Sequence, residues 1–240
     1  MKFWGEEGTA AYYNNALLFT GLTGIVTMLP CLYFYKKDRR ARVAGGLIRR
    51  EKPRRLSPGE CALILVMGAG FAQFANMFVN IIGSFLNAEE YQETMSQLTD
   101  GKSLIFLIIC MGVIAPLAEE IVFRWLIYLR LRDYIQPGIA IVVSGVFFGI
   151  YHGNLVQGVY ASILGILFAY FLELTGSLWT SVLLHMGANI WSLVLPELVN
   201  RILIRYPIAI MLLLIALLTG ICAGSVYFRK YAEEKEGRMI

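Results

Sequence analysis

Six ionisable or amide side chains stand where the surrounding sequence is apolar: Glu119, Glu120, Arg124, His152, His185 and Asn189. His152 and His185 are the only histidines in the chain. A charge inside an apolar span costs about 2.5–3.5 kcal/mol on insertion scales, so such a residue normally faces a polar cavity or a partner. A carboxylate, two imidazoles and an amide can together activate water and hold an oxyanion. A glutamate would be the general base, tuned by burial. The histidines could orient water, donate protons or bind a metal. Asn189 could donate to the developing oxyanion.

Helical spacing refines these roles. Successive residues turn by ~100°, so positions four apart share a face. Glu120 and Arg124 are such a pair, in the favourable acid-before-base order, and read as mutual neutralisation. Glu119 points ~100° away and is free to face something else. Pro116 removes a backbone hydrogen bond, which leaves the carbonyl of Gly112 short of a donor and suggests a widened, wet pocket beside Glu119. Phe148 and His152 are also four apart, as are His185 and Asn189. Each has a plainer reading. A buried Glu120–Arg124 pair can simply pin helices together, the histidines and Asn189 can be interhelical hydrogen bonds, and Phe148 can be packing. The gathering of both histidines in the same part of the chain as Glu119 favours a functional site. Spacing alone leaves enzyme and transporter open.

The elements that must position these residues follow from composition. The chain has 240 residues, 58% of them hydrophobic, with a mean hydropathy of +0.63. A soluble domain is nearer 45–50% apolar, roughly. The expected fold is all-α, a polytopic membrane bundle of about seven transmembrane helices with a polar intramembrane cavity. It forms a single membrane domain over residues 1–240. The spans run from about Tyr12 to Tyr35, Glu60 to Asn87, Ser103 to Arg130, Pro137 to His152, Leu155 to Leu174, Ser177 to Leu195 and Ile208 to Phe228. The fourth and fifth nearly touch at His152–Gln157. Met1 to Ala11 does not read as a signal peptide. Cys31, Cys61, Cys110 and Cys222 lie singly, without metal-ligand spacing, and read as small buried apolar residues.

Lys and Arg in the loops set the orientation. The loop over 36–59 is strongly basic, carrying Lys36, Lys37, Arg39, Arg40, Arg42, Arg49, Arg50, Lys52, Arg54 and Arg55. It reads as cytoplasmic and close to anionic membrane lipids, not as a nucleic-acid patch. Arg130, Arg132, Arg229, Lys230, Lys235 and Arg238 fall on the same side. Glu89, Glu90, Glu93 and Asp100 fall outside, as do Arg201 and Arg205, against the rule. The N terminus is expected outside and the C terminus in the cytoplasm.

Three motifs then carry a resemblance. Glu119-Glu120-Ile-Val-Phe-Arg124 reads as EExxxR, Phe148-Gly-Ile-Tyr-His152 as FxxxH, and His185-Met-Gly-Ala-Asn189 as HxxxN. In order and spacing this resembles the CPBP intramembrane proteases, which include CAAX prenyl proteases of the Rce1 type and bacteriocin-processing and immunity proteins. The resemblance covers a catalytic core of about residues 103–195. It implies peptide-bond hydrolysis by activated water, without an acyl-enzyme. Glu119 would activate water with His152, His185 and Asn189 would stabilise the oxyanion, and Glu120, Arg124 and Phe148 would support the site. The family is described both as zinc enzymes and as metal-free glutamate proteases. Here Glu119, His152 and His185 are the residues that could hold zinc, although HExxH is absent.

The implied substrate is a peptide or lipidated protein at the membrane, such as a CAAX protein, a leader peptide or a peptide precursor. Short loops point to a bacterial plasma membrane. A non-catalytic scaffold or immunity protein and a proton-coupled transporter are the competing readings. The first two spans and the last lie outside the resemblance and are expected to pack around the core. Self-association through Gly68 and Gly70 is a further option. At ~1.5 Å per residue, His152 lies about 22 Å from Pro137, Glu119 about 16 Å from Arg130 and His185 about 12 Å from Ser177. These depths disagree unless the fourth helix is tilted or partly cytoplasmic.

Overall fold

In lipid a backbone must satisfy its own hydrogen bonds, so long apolar runs become helices. The computed structural model describes residues 5–46, 54–82 and 88–237, with side chains over 15–46, 54–81, 93–202 and 204–234. Among these residues there are eight helices and no strand. We number them α1 (Gly5–Ala44), α2 (Pro58–Ile82), α3 (Ala88–Thr99), α4 (Leu104–Arg132), α5 (Pro137–Tyr151), α6 (Leu155–Thr175), α7 (Leu178–Leu198) and α8 (Pro207–Gly237). Six of them, all but α3 and α5, are long and apolar enough to cross a membrane. The chain is a multi-pass helical membrane bundle.

The fourth expected span is the exception. α5 has 15 residues, or about 22 Å, against about 30 Å of hydrocarbon. It forms a hairpin with α6. His152 ends α5, Gly153 takes φ 68°, and Asn154 caps α6 by accepting from the N–H groups of Val156 and Gln157. Gly149 lets the two helices touch, since a Cβ there would lie 2.4 Å from the carbonyl oxygen of Gly158. The boundary expected at His152–Gln157 is therefore a tight turn.

Two other boundaries differ. α1 continues past Tyr35 to Ala44, so Lys36 to Arg42 of the expected basic loop are helical. Arg49, Arg50 and Lys52 lie outside the described residues, as do Met1–Trp4, residues 83–87 and Arg238. The side chains of Glu89, Glu90 and Lys235 are likewise outside them. The acidic segment contains a helix of its own, α3.

α2 and α7 pack along their lengths through reciprocal glycines. A Cβ on Gly68 would sit 2.1 Å from the carbonyl oxygen of Leu184, and one on Gly187 would sit 2.3 Å from that of Leu65. Gly70 faces Ile221 and Leu217 of α8. The small residues considered for self-association are used inside the chain. Trp191 of α7 adds a hydrogen bond to Gln73 of α2 at 2.9 Å. Of the cysteines, Cys110 is buried, Cys31 and Cys61 are half-buried, and Cys222 is exposed rather than buried.

One end of the bundle collects its ion pairs. Asp38 and Arg42 on α1 meet Arg130 (2.6 Å) and Asp133 (2.7 Å). Arg132 meets Glu173 of α6 at 3.1 Å. Arg54 pairs with Glu60 and lies 3.6 Å from the Tyr231 ring centroid. The positive residues expected on one side thus share one end. At the other end Arg201 pairs with Glu197 at 2.7 Å, one turn before it, so its charge is compensated locally.

Candidate active site

α4 supplies the carboxylates. It is not a uniform helix: Ile108–Ile114 and Ile121–Tyr128 are π-helical, and the six residues Ala115–Glu120 between them are α-helical. Wide turns of this kind cluster at functional sites because they re-aim side chains. Glu119 and Glu120 are the last two residues of the α segment.

Glu120 is wholly buried, and its Oε1 lies 3.0 Å from Nη1 of Arg124 and 3.0 Å from Nδ1 of His185. The expected i,i+4 pair therefore forms, and it also holds a residue from α7. Arg124 is fully buried too, its guanidinium 4.5 Å from the Phe148 ring centroid and 5.5 Å from that of Phe168. Gly165 makes this possible, since a Cβ there would lie 2.7 Å from Nη2 of Arg124 and 3.0 Å from Phe148.

His185 sits in an aromatic slot. Its ring stacks on Phe168 at 5.1 Å and meets the edge of Phe148 at 5.4 Å. Nδ1 faces Glu120, and Nε2 lies 3.6 Å from Oε2 of Glu119. Both imidazole nitrogens thus face carboxylates. The Glu119 side chain is 20% exposed where that of Glu120 is 0% exposed, so of the two it is Glu119 that water can reach.

His152 is half-buried, and its Nδ1 lies 2.8 Å from the carbonyl oxygen of Phe148. A carbonyl only accepts, so Nδ1 carries the proton, and Nε2 of the neutral ring keeps its lone pair. The ring contacts Phe148 (4.8 Å) and Tyr151 (5.6 Å). Phe148, not His152, is the residue of α5 that touches His185, which accounts for the mismatch in depth. The ion pairs of Glu119 and Glu120 go to His185 and Arg124 and not to His152. Asn189 directs Nδ2 to the carbonyl oxygen of Met111 at 2.8 Å.

These positions also bear on zinc. Among the described residues no three His, Cys, Asp or Glu side chains are gathered as a metal-binding group. Glu119, His152 and His185 do not converge, and both nitrogens of His185 already face carboxylates. The arrangement does not fit a zinc site, and no step below is routed through a metal.

Comparison with known proteins bears on the same stretch of chain. Residues 101–191 match the family model described as "Type II CAAX prenyl endopeptidase Rce1-like". The helices of the site match the Rce1-like family. The matched segment runs from the start of α4 into α7 and contains Glu119, Glu120, Arg124, Phe148, His152, His185 and Asn189. This bears out the resemblance drawn from the three motifs. A curated relative is 24% identical over 188 residues, covering 78% of this chain and 76% of its own: the Bacillus subtilis (strain 168) protein described as "Putative membrane peptidase YdiL". No solved structure matches the chain significantly. At the level of the family, the Rce1-like match and this relative support an intramembrane protease.

Several contributors have no mark in the sequence. Phe168 and Gly165 lie in an apolar run like any other, and only the contacts of Arg124 and His185 single them out.

Proposed function

We propose that this protein is an intramembrane endopeptidase that hydrolyses a peptide bond in a membrane-associated peptide or protein, with Glu119 as the base that activates water. The observation that carries the reading is the division of labour around His185. Glu120 is sealed between Arg124 and Nδ1, while Glu119 is partly exposed beside Nε2. One carboxylate is structural and the other can meet water.

Glu119, as carboxylate, takes a proton from water while the oxygen attacks the substrate carbonyl carbon. The C–N bond then breaks, and the proton passes to the leaving amine, giving one new carboxyl and one new amino terminus. His152 presents the lone pair of Nε2 to the proton transfers. His185 faces Glu119 and polarises the site. One proton shared by Glu119 and His185 brings their formal charge, summed with Glu120 and Arg124, to zero, as a low-dielectric interior favours.

Residues 103–195 act as the catalytic core of a single membrane domain. The substrate is a CAAX-type protein, a leader peptide or a peptide precursor that arrives within the bilayer of a bacterial plasma membrane. The basic end of the bundle supports a cytoplasmic placement for it, with the N terminus outside.

The test is cleavage by purified protein in lipid bilayers. A library of membrane-anchored peptides, some ending in a prenylated CAAX sequence, is offered to wild type and to Glu119→Gln. Cleavage by wild type alone supports the reading, and the cleaved members define the substrate class. Equal cleavage by both proteins contradicts it.

A further inference from the structure

α4 changes register just before its two glutamates. Over Ile108–Ile114 it is π-helical, so each N–H reaches back five residues instead of four. At the end of this stretch the N–H of Ala115 donates to the carbonyl of Cys110. The carbonyl of Met111 comes next. In the wide register its donor would be residue 116, which is proline and has no N–H. In the α register its donor would be Ala115, which is already engaged by Cys110. Pro116 and the register shift together leave Met111 without a backbone donor, inside a span where an unpaired carbonyl is costly. The orphan is thus Met111, one residue earlier than the Gly112 that an α register implies.

Asn189 supplies the missing donor from α7, with Nδ2 at 2.8 Å from that oxygen. The approach of α7 is built in here. A Cβ on Gly112 would lie 2.9 Å from Cγ1 of Ile190, the neighbour of Asn189. We infer that Asn189 is a positioning residue that locks the π register of α4 through the Met111 carbonyl and so aims Glu119 and Glu120 at His185. Loss of the extra residue in the wide turn would rotate everything after it by about 100° relative to the preceding helix. That rotation would carry both glutamates off the imidazole. His185 stands one turn from Asn189 on α7, so a single helix fixes both the glutamates and the ring they flank.

The inference deepens the peptidase reading, and its test separates the two. Pro116→Ala provides Met111 with a backbone donor in either register: the N–H restored at position 116 in the π form, and that of Ala115 in the α form. Asn189→Leu removes the amide at similar size. Both are made singly and together, and each protein is measured for thermal unfolding in detergent and for kcat and KM on the substrate whose cleavage depends on Glu119. In the natural background Asn189→Leu is expected to lower Tm and to reduce kcat by about tenfold, with KM little changed. In the Pro116→Ala background the loss in kcat shrinks below about threefold and the Tm effect shrinks with it. Equal losses in the two backgrounds would overturn the inference, because the amide would then act on something other than Met111. If Asn189→Leu does not accumulate, the same comparison is read as the yield of monodisperse protein, with recovery by Pro116→Ala expected and its absence overturning the inference. Where no cleavage depends on Glu119 the peptidase reading fails, and there, or in an inactive Pro116→Ala background, the thermal cycle decides alone.

Discussion

Nδ1 of His185 lies 3.0 Å from Oε1 of Glu120, joining α7 to α4 across 65 residues of chain. The contact occupies one side of a buried imidazole and turns its other nitrogen towards Glu119. It also gives Glu120 two cationic or donor partners, Arg124 and His185, while Glu119 has one.

The two adjacent glutamates should therefore fail differently. Glu119→Gln removes the base and is expected to lower cleavage by about 10²–10⁴-fold. Its thermal unfolding in detergent should stay close to wild type. Glu120→Ala leaves Arg124 buried without its carboxylate, a loss of about 3–5 kcal/mol. Its folded yield and Tm should fall sharply. Identical behaviour of the two variants would contradict this assignment.

Gly165 holds the space that Arg124 and Phe148 fill. A methyl group there would have to displace the guanidinium or the ring. Gly165→Ala should lower stability by about 1–3 kcal/mol through overpacking. Denaturation in mixed micelles measures it, and an unchanged midpoint would mean that the slot has room to spare.

His152 hydrogen-bonds only to the carbonyl of its own helix, so little of the bundle depends on it. His152→Ala should leave the melting temperature nearly unchanged while reducing turnover by about 10²-fold, as expected for loss of a proton-transfer group. A variant that melts early but cleaves at the normal rate per folded molecule would assign His152 to packing instead.

Orientation can be read with a membrane-impermeant maleimide on intact cells. The four native cysteines are first replaced. Tyr134, which is 88% exposed at the basic end, should be inaccessible as Tyr134→Cys until the cells are opened. Asp100→Cys, at the opposite end, should label at once. The reverse pattern would invert the topology.

Much of this site is legible in residue type and spacing. EExxxR, FxxxH and HxxxN mark its residues, and the Glu120–Arg124 pair follows from helical geometry alone. What spacing does not convey is how the helices meet. The Glu119–His152 partnership implied by the family resemblance does not appear as an ion pair, and His185 takes both carboxylates. The reason lies in α4, where two π segments shift the rotation of everything after them. Apart from Pro116, their sequence resembles any apolar span. The short fourth helix was legible only as a conflict of depths, which the turn at Gly153 and the contact between Phe148 and His185 account for.

The most direct test of the central claim is terminal proteomics on membranes and medium from cells carrying wild type or Glu119→Gln at equal abundance. The account predicts at least one peptide terminus present with wild type and lost with the variant, and that terminus identifies the substrate. Indistinguishable termini, with an unchanged phenotype, would contradict proteolysis by Glu119 and favour a non-catalytic scaffold.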